Sequence, residues 1–176
     1  MLDIVKIVIP RNSLVVLCGP AGCGKSTFAL KHFLPTQVVS SDDCRARLSD
    51  DATNQEITAL AFQLMHFIIE SRLWLGRLTV ADATNLKRED RRPMIELANR
   101  FGFNLAAVVF NVPLDVCLSR NAGRARTIPR DAIVAQHELV QPTLASIEQE
   151  GFHYAFVLDE NQQESAQIEA GRRTEF

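Results

Sequence analysis

The nonapeptide GPAGCGKST, at residues 19–27, constrains the fold more than any other part of this sequence. It follows a nearly all-apolar run, SLVVLC, and precedes a segment patterned as a helix. The pattern G-x-x-x-x-G-K-[ST] between a buried strand and a helix is typical of a loop that wraps phosphates, because its glycines let backbone N–H groups point at the anion. A glycine-rich turn without a ligand is the alternative, and the strand–helix context argues against it.

The loop predicts a site for ATP and Mg²⁺. Lys25 can reach the β- and γ-phosphates, and the hydroxyl of Ser26 can hold the metal. The residues predicted to bind the nucleotide are Gly19, Gly22, Cys23, Gly24, Lys25, Ser26 and Thr27. The motif by itself does not say what happens to the phosphate.

Asp82 is the second candidate magnesium ligand, because it ends the apolar run LTVAD at residues 78–82. An aspartate after a strand also serves as a cap of a helix or turn, and this alternative stays open. The sequence has no N-K-x-D motif of the kind that reads the base in GTPases. Ala83 follows Asp82 where motor-type ATPases usually carry a glutamate, so neither of these classes is favoured.

Apolar runs alternate with helical patterns along the chain. The predicted strands are 4–10, 13–18, 37–40, 78–82, 104–112 and 154–158, and the predicted helices are 25–34, 54–75, 88–101, 113–124 and 130–150. This alternation predicts an α/β fold with a mostly parallel central sheet and helices on both faces. We expect one domain over residues 1–160. We expect the polar segment 161–176 to be a tail, either a loose end or a linker to a further domain.

Composition narrows the classes of partner. A net charge of −2 argues against a general nucleic-acid coat protein but is compatible with a local anion site. The four cysteines lack C-x-x-C or zinc spacing, which predicts reduced thiols in a cytoplasmic protein. No run is long and apolar enough to span a membrane, so we expect no membrane partner.

The segment VVSSDDCRARL, at residues 38–48, places a carboxylate and a guanidinium one helical turn apart. We expect its strand beside the strand of the phosphate loop, which brings Asp42 close to the γ-phosphate. A carboxylate there can take the proton of an acceptor hydroxyl, and Arg45 on the same face suits an anionic group of that acceptor. The alternative is structural, with Asp42 or Asp43 as a helix N-cap and Arg45 as its solvated partner.

A basic segment, RNAGRARTIPR at residues 120–130, predicts an arginine-rich lid. Arg120 and Arg124 share a helical face, and Arg126 lies in the loop that follows. Arginines on a lid can neutralise charge on a transferred phosphoryl group and exclude water. A solvated charged surface is the alternative, although no acidic residue lies between Asp115 and Asp131.

Four segments together resemble the polynucleotide 5′-kinase domain of the bacterial RNA-repair polynucleotide kinase-phosphatase-ligase. They are SLVVLCGPAGCGKSTFALKHF, VVSSDDCRARLSDD, GRLTVADATNL and EGFHYAFVL. The resemblance covers about residues 4–160. It implies a P-loop kinase fold and transfer of the γ-phosphate of ATP to 5′-hydroxyl ends of RNA or DNA. It also implies a chain that is joined to phosphatase and ligase modules in a longer protein.

The resemblance implies roles for single residues as well. Lys25 and Ser26 would serve ATP and Mg²⁺, Asp42 would be the general base, and Arg45 would contact a phosphate of the acceptor nucleotide. Arg120 and a second lid arginine would contact the ATP phosphates. Arg126 is favoured as this second arginine, and the alternatives are Arg124 and Arg130. Two other functions stay open: a kinase of small-molecule hydroxyls, and an ATP-binding switch without an acceptor.

Overall fold

The structure is a computed structural model in which residues 6–124 and 127–171 are described. The strands are β1 (Lys6–Pro10), β2 (Ser13–Cys18), β3 (Val38–Ser40), β4 (Thr79–Asp82), β5 (Asn104–Phe110), β6 (Tyr154–Leu158) and β7 (Gln167–Gly171). The α-helices are α1 (Lys25–His32), α2 (Ser41–Ser49), α3 (Thr58–Trp74), α4 (Arg88–Phe101), α5 (Leu114–Ala122), α6 (Arg130–Glu138), α7 (Val140–Ser146) and α8 (Glu160–Ser165).

The central sheet has five parallel strands in the order β3-β4-β2-β5-β6. All six residues of β2 are buried, which explains its continuous apolar sequence, because a strand covered on both faces needs no polar side. Leu14 and Val16 pack in the cluster that includes residues of α3 and α4. Val15 and Leu17 pack in the opposite cluster, which includes residues of α1. The predicted α/β fold with a mostly parallel sheet flanked by helices is confirmed.

The position of β3 differs from the prediction. It pairs with β4 at the edge of the sheet and does not lie beside β2. Every residue of β4 is buried, whereas two of the three residues of β3 are only partly buried. A short and partly exposed strand is suited to the edge position in the strand order, and the fully buried β4 takes the inner position.

The segment after residue 160, expected as a polar tail, contains two ordered elements. Asp159 caps α8, with its side chain accepting from the backbone N–H groups of Asn161 and Gln162. The strand β7 then pairs in parallel with β1 in a separate two-stranded sheet, and Ile168 packs against the buried cluster. The folded part therefore reaches Gly171, which the polar composition of the segment did not indicate.

The long helix predicted over 130–150 is instead α6, α7 and a 3₁₀ turn at Ile147–Gln149. Pro142 lies in the first turn of α7. Proline has no N–H to donate to the carbonyl four residues earlier, and its ring clashes with that carbonyl, so one continuous helix cannot form.

Two smaller findings concern the described residues. All four cysteines are free and buried. No helix in the described part has the length and hydrophobicity that a membrane crossing requires. The cytoplasmic location stays a prediction.

Candidate active site

The candidate site lies at the carboxyl ends of three neighbouring strands of the central sheet, β3, β4 and β2. In the register of the sheet, Asp82 is opposite Leu17 of β2 on one side and Ser40 of β3 on the other. The phosphate loop continues from β2, and α2 follows β3 directly. Because neighbouring strands lie about 4.8 Å apart, the ends of β2 and β3 are separated by roughly 10 Å. The carboxylate of Asp82 therefore lies between the loop and α2.

A cavity of about 600 Å³ opens at the carboxyl ends of these strands. Its lining brings together the predicted residues Lys25, Ser26, Asp42, Arg45 and Asp82. The structure thus places the nucleotide loop, the candidate magnesium ligands and the candidate acceptor residues around one space. The volume lies within the range of small-molecule and nucleotide sites.

Backbone conformation explains two of the glycines in the loop. Gly22 has φ 83° and Gly24 has φ 103°, in the left-handed region that side chains disfavour. A Cβ atom on Gly22 would also strike the backbone carbonyl of Cys117. The loop is further held by Ala21, whose N–H donates to Gln136 Oε1 at 2.8 Å. The loop conformation therefore requires glycine at position 22.

Lys25 is buried and folds back over the loop. Its Nζ donates to the carbonyl oxygens of Gly19 and Pro20, at 2.8 Å each. A phosphate in the loop would offer the ammonium a charged acceptor, which makes a stronger hydrogen bond than a carbonyl does. The predicted role of Lys25 at the phosphates is compatible with this position.

Ser26 and Asp82, predicted as magnesium ligands, are in direct contact. Ser26 Oγ donates to Asp82 Oδ2 at 2.7 Å, and Asp82 is buried. Burial raises the pKa of Asp82, opposed by the hydrogen bond from Ser26 and the charge of Lys25. Among the described residues, no group of three or more His, Cys, Asp or Glu side chains could hold a metal. One carboxylate and one hydroxyl beside phosphates nevertheless fit Mg²⁺, which keeps several waters.

The capping alternative for Asp42 and Asp43 is wrong, because Ser40 is the N-cap of α2. Ser40 Oγ accepts from the backbone N–H groups of Asp42 and Asp43, at 3.2 and 3.4 Å. The carboxylate of Asp42 instead accepts from Arg45 NH1 at 2.7 Å, so the ion pair of that alternative does exist.

Arg45 is not a solvated charge. Only 8% of its side chain is exposed, against 57% for Asp42. Its Nε is buried and has no hydrogen-bond partner within the described part of the chain. A buried guanidinium with an unsatisfied N–H is costly unless a ligand supplies an acceptor. The pair therefore presents an exposed carboxylate beside a buried cation.

Two of the described lid arginines, Arg120 and Arg124, lie next to the loop, whereas Arg130 is an exposed residue at the start of α6. Arg120 NH1 donates to the carbonyl of Cys23 at 3.3 Å, and Arg124 lines the 600 Å³ cavity. Asn121 bonds the backbone of Ile128 twice, at 2.9 Å each, and so joins the two ends of the lid. Arg126 lies outside the described residues, and its role stays a prediction.

A family model described as an AAA domain (AAA_33) matches residues 14–145. The chain belongs to this family. The matched range runs from β2 to α7 and includes the phosphate loop, Asp42, Asp82 and the lid. The fold of this AAA_33 member, a mostly parallel sheet flanked by helices, matches that of P-loop kinase structures.

Among curated proteins, the chain is similar to an L-seryl-tRNA(Sec) kinase of Methanococcus maripaludis, with 26% identity over 132 residues. The alignment covers 71% of this chain and 51% of that protein, so the chain spans about half the length of this relative.

Solved structures share the fold. A chain of the Pnkp1/Rnl/Hen1 RNA repair complex has a TM-score of 0.66 and 23% identity, covering 80% of this chain and 47% of that one. A putative kinase from Chloroflexus aurantiacus has a TM-score of 0.59 and 15% identity, covering 88% of both chains. The APS kinase CysC of Mycobacterium tuberculosis, solved with AMPPNP and APS, has a TM-score of 0.55 and 16% identity, covering 89% of this chain and 94% of its own.

Proposed function

We propose that this chain is a kinase that transfers the γ-phosphate of ATP to the 5′-hydroxyl end of RNA or DNA. The observation that carries the proposal is the pair formed by Asp42 and Arg45 on the wall of the cavity that also contains the phosphate loop. The 5′-terminal nucleotide of a strand has a hydroxyl and a nearby anionic phosphodiester. The exposed carboxylate suits the hydroxyl, and the buried guanidinium suits the anion.

In the proposed reaction, the 5′-oxygen attacks the γ-phosphorus and its proton passes to the carboxylate of Asp42. The bond from the γ-phosphorus to the β–γ bridging oxygen breaks, and ADP leaves. Lys25 and Arg120 lie at the loop, where cations stabilise the negative charge that spreads over the transferred group. Arg45 orients the acceptor through its phosphodiester.

Ser26 and Asp82 are the residues that would hold Mg²⁺ in this proposal. When bound, the ion neutralises charge on the β- and γ-phosphates. Both residues offer oxygen atoms, the ligands that Mg²⁺ prefers, and they already meet through a hydrogen bond. Because burial raises the pKa of Asp82, a nearby cation would favour its ionised form.

A second candidate is a kinase of small-molecule hydroxyls. It is supported by the size of the cavity, about 600 Å³, and by the likeness to an APS kinase over most of that protein. The acceptor of such a kinase would also carry an anionic group, because the buried guanidinium of Arg45 has an N–H group that needs an acceptor. The two candidates therefore differ in the acceptor and share the roles of the phosphate loop.

The deciding experiment offers the protein γ-labelled ATP, Mg²⁺ and a short RNA with a 5′-hydroxyl, beside the same RNA with a 5′-phosphate. We expect label only on the hydroxyl-ended strand, and a DNA of the same sequence shows which sugar is preferred. No transfer to either nucleic acid, with ATP still bound, would refute the proposal. A small-molecule acceptor, or a switch without an acceptor, would then be favoured.

A further inference from the structure

A second cavity, of about 400 Å³, lies beside the phosphate loop. It shares Gly22, Gly24 and Arg124 with the larger cavity, so the loop borders both spaces. The larger cavity contains the acceptor pair Asp42 and Arg45, and the second cavity does not. A nucleotide whose phosphates lie in the loop therefore has the second cavity available for its nucleoside.

The walls of the second cavity suit a nucleoside. Thr27 and Phe28 come from α1, Arg120 comes from α5, and Gln163 comes from α8. Lys31 of α1 fixes α8 in place, because its Nζ donates to the carbonyl of Glu164 at 2.9 Å. Apart from Phe28 and the two glycines, the lining residues are polar or charged, so they can donate to and accept from the polar edge of a base.

Gln163 is the polar group in this wall whose hydrogen bonding is incomplete. The residue is only 9% exposed, and its amide Nε2 is buried without a partner in the described part of the chain. Its Oε1 lies so close over Gly24 that a Cβ atom there would approach it to 2.5 Å. A buried donor without an acceptor is unfavourable, and a ligand that offers an acceptor would remove this cost.

We propose that Gln163 reads the base of the phosphate donor and favours adenine. A primary amide has a donor and an acceptor side by side, and adenine presents its amino group next to a ring nitrogen that accepts. The inference deepens the proposed function, since it rests on the phosphate loop binding the donor nucleotide. It assigns donor specificity to α8, which lies beyond the range matched by the family model.

The test compares ADP with purine riboside diphosphate, which lacks only the exocyclic amino group, by calorimetry in the presence of Mg²⁺. We expect the wild-type protein to bind ADP about ten times more tightly, the discrimination of one amide–base pair. Gln163→Leu should bind both nucleotides with equal affinity. Asn161→Leu, an exposed position on the same helix and outside both cavities, should keep the wild-type ratio.

The possible outcomes separate the two proposals, because neither nucleotide needs an acceptor. Equal affinity of the wild-type protein for the two nucleotides would overturn the role of Gln163 while leaving the kinase proposal in place. This comparison needs no variant, so it holds even where Gln163→Leu fails to fold. Discrimination that persists in Gln163→Leu would also overturn the role. Absence of binding to both nucleotides would overturn the proposed function as well.

Discussion

Replacing Arg91 with methionine should strongly destabilise the protein around the loop that follows Asp82 at the carboxyl end of β4. Arg91 Nε and NH2 donate to the two carboxylate oxygens of Glu150, at 2.7 and 2.5 Å. Its NH1 donates to the carbonyls of Asn85 and Leu86, at 3.0 and 2.8 Å, in the loop that follows Asp82. One side chain therefore joins this loop to Glu150, which lies in the segment that connects α7 to β6.

The expected magnitude follows from burial. Only 1% of each side chain in the Arg91–Glu150 pair is exposed. Removing one partner of a buried pair leaves an uncompensated charge and costs about 3–5 kcal/mol. The exposed pair Arg92–Glu96 is the matched control, because it lies on the same helix with 78% and 63% of its side chains exposed. Arg92→Ala should cost no more than about 0.5 kcal/mol.

The assay is the free energy of unfolding from urea titrations across a range of pH. Burial raises the pKa of Glu150, but hydrogen bonds from Arg91 and Ser146 outweigh it, and the net pKa lies below the usual 4.5. This lowered pKa contributes stability above pH 4.5 that is lost as the pH falls through the folded pKa. The penalty of Arg91→Met should therefore shrink in acid, where Glu150 is protonated.

Two results decide the interpretation of the pair. Arg91→Met together with Glu150→Met should recover most of the lost stability, because no buried charge is left alone. A loss of less than about 1 kcal/mol for Arg91→Met would refute the reasoning, since exposed pairs contribute that little.

Two further predictions concern the nucleotide site. Asp82→Asn should raise the stability of the nucleotide-free protein at neutral pH, because the buried carboxylate is costly until a cation offsets it. The same variant should weaken the binding of Mg·ATP by roughly tenfold or more, because it removes the charge that the cation would offset. The raised pKa of Asp82 means that the advantage in stability should vanish below about pH 3.8, and an advantage that grows in acid would contradict it. Gly22→Ala should cost about 1–3 kcal/mol and weaken ATP binding, since φ is 83° and the new methyl strikes Cys117. Gly123→Ala, whose nearest neighbour would be 3.8 Å away, is the control, and equal thermal shifts for the two would show that loop strain is not the cause.

The candidate site could be predicted where one local pattern carried the chemistry. The phosphate loop is such a pattern, and its residues Lys25 and Ser26 line the cavity. The meeting of Ser26 with Asp82, 56 residues later, could also be predicted, because parallel strands bring their carboxyl ends to one edge. Asp42, which follows β3, lines the same cavity although the expected pairing of β3 with β2 was wrong. The carboxyl ends of all the parallel strands lie on the same side of the sheet, so pairing with β4 still brings Asp42 to the cavity.

Other features depend on partners that the sequence does not mark. Arg91 and Glu150 read as two ordinary charges, and their burial results from the packing of segments 59 residues apart. Gln163 lies in a polar segment whose strand β7 has a single large apolar residue, so neither its order nor its contact with the loop was indicated. The break between α6 and α7, in contrast, could have been predicted from Pro142.

The most direct test of the central claim is the rate of phosphoryl transfer to a 5′-hydroxyl RNA, measured for Asp42→Asn and Asp43→Asn in a single turnover. Asp43 is the matched control, because it is an exposed carboxylate on the same turn of α2 and does not line the cavity. We predict that Asp42→Asn lowers the rate by about 10²–10⁴-fold with nearly unchanged ATP affinity, and that Asp43→Asn transfers at nearly the wild-type rate. Equal transfer rates for the two variants would contradict the assignment of Asp42 as the base.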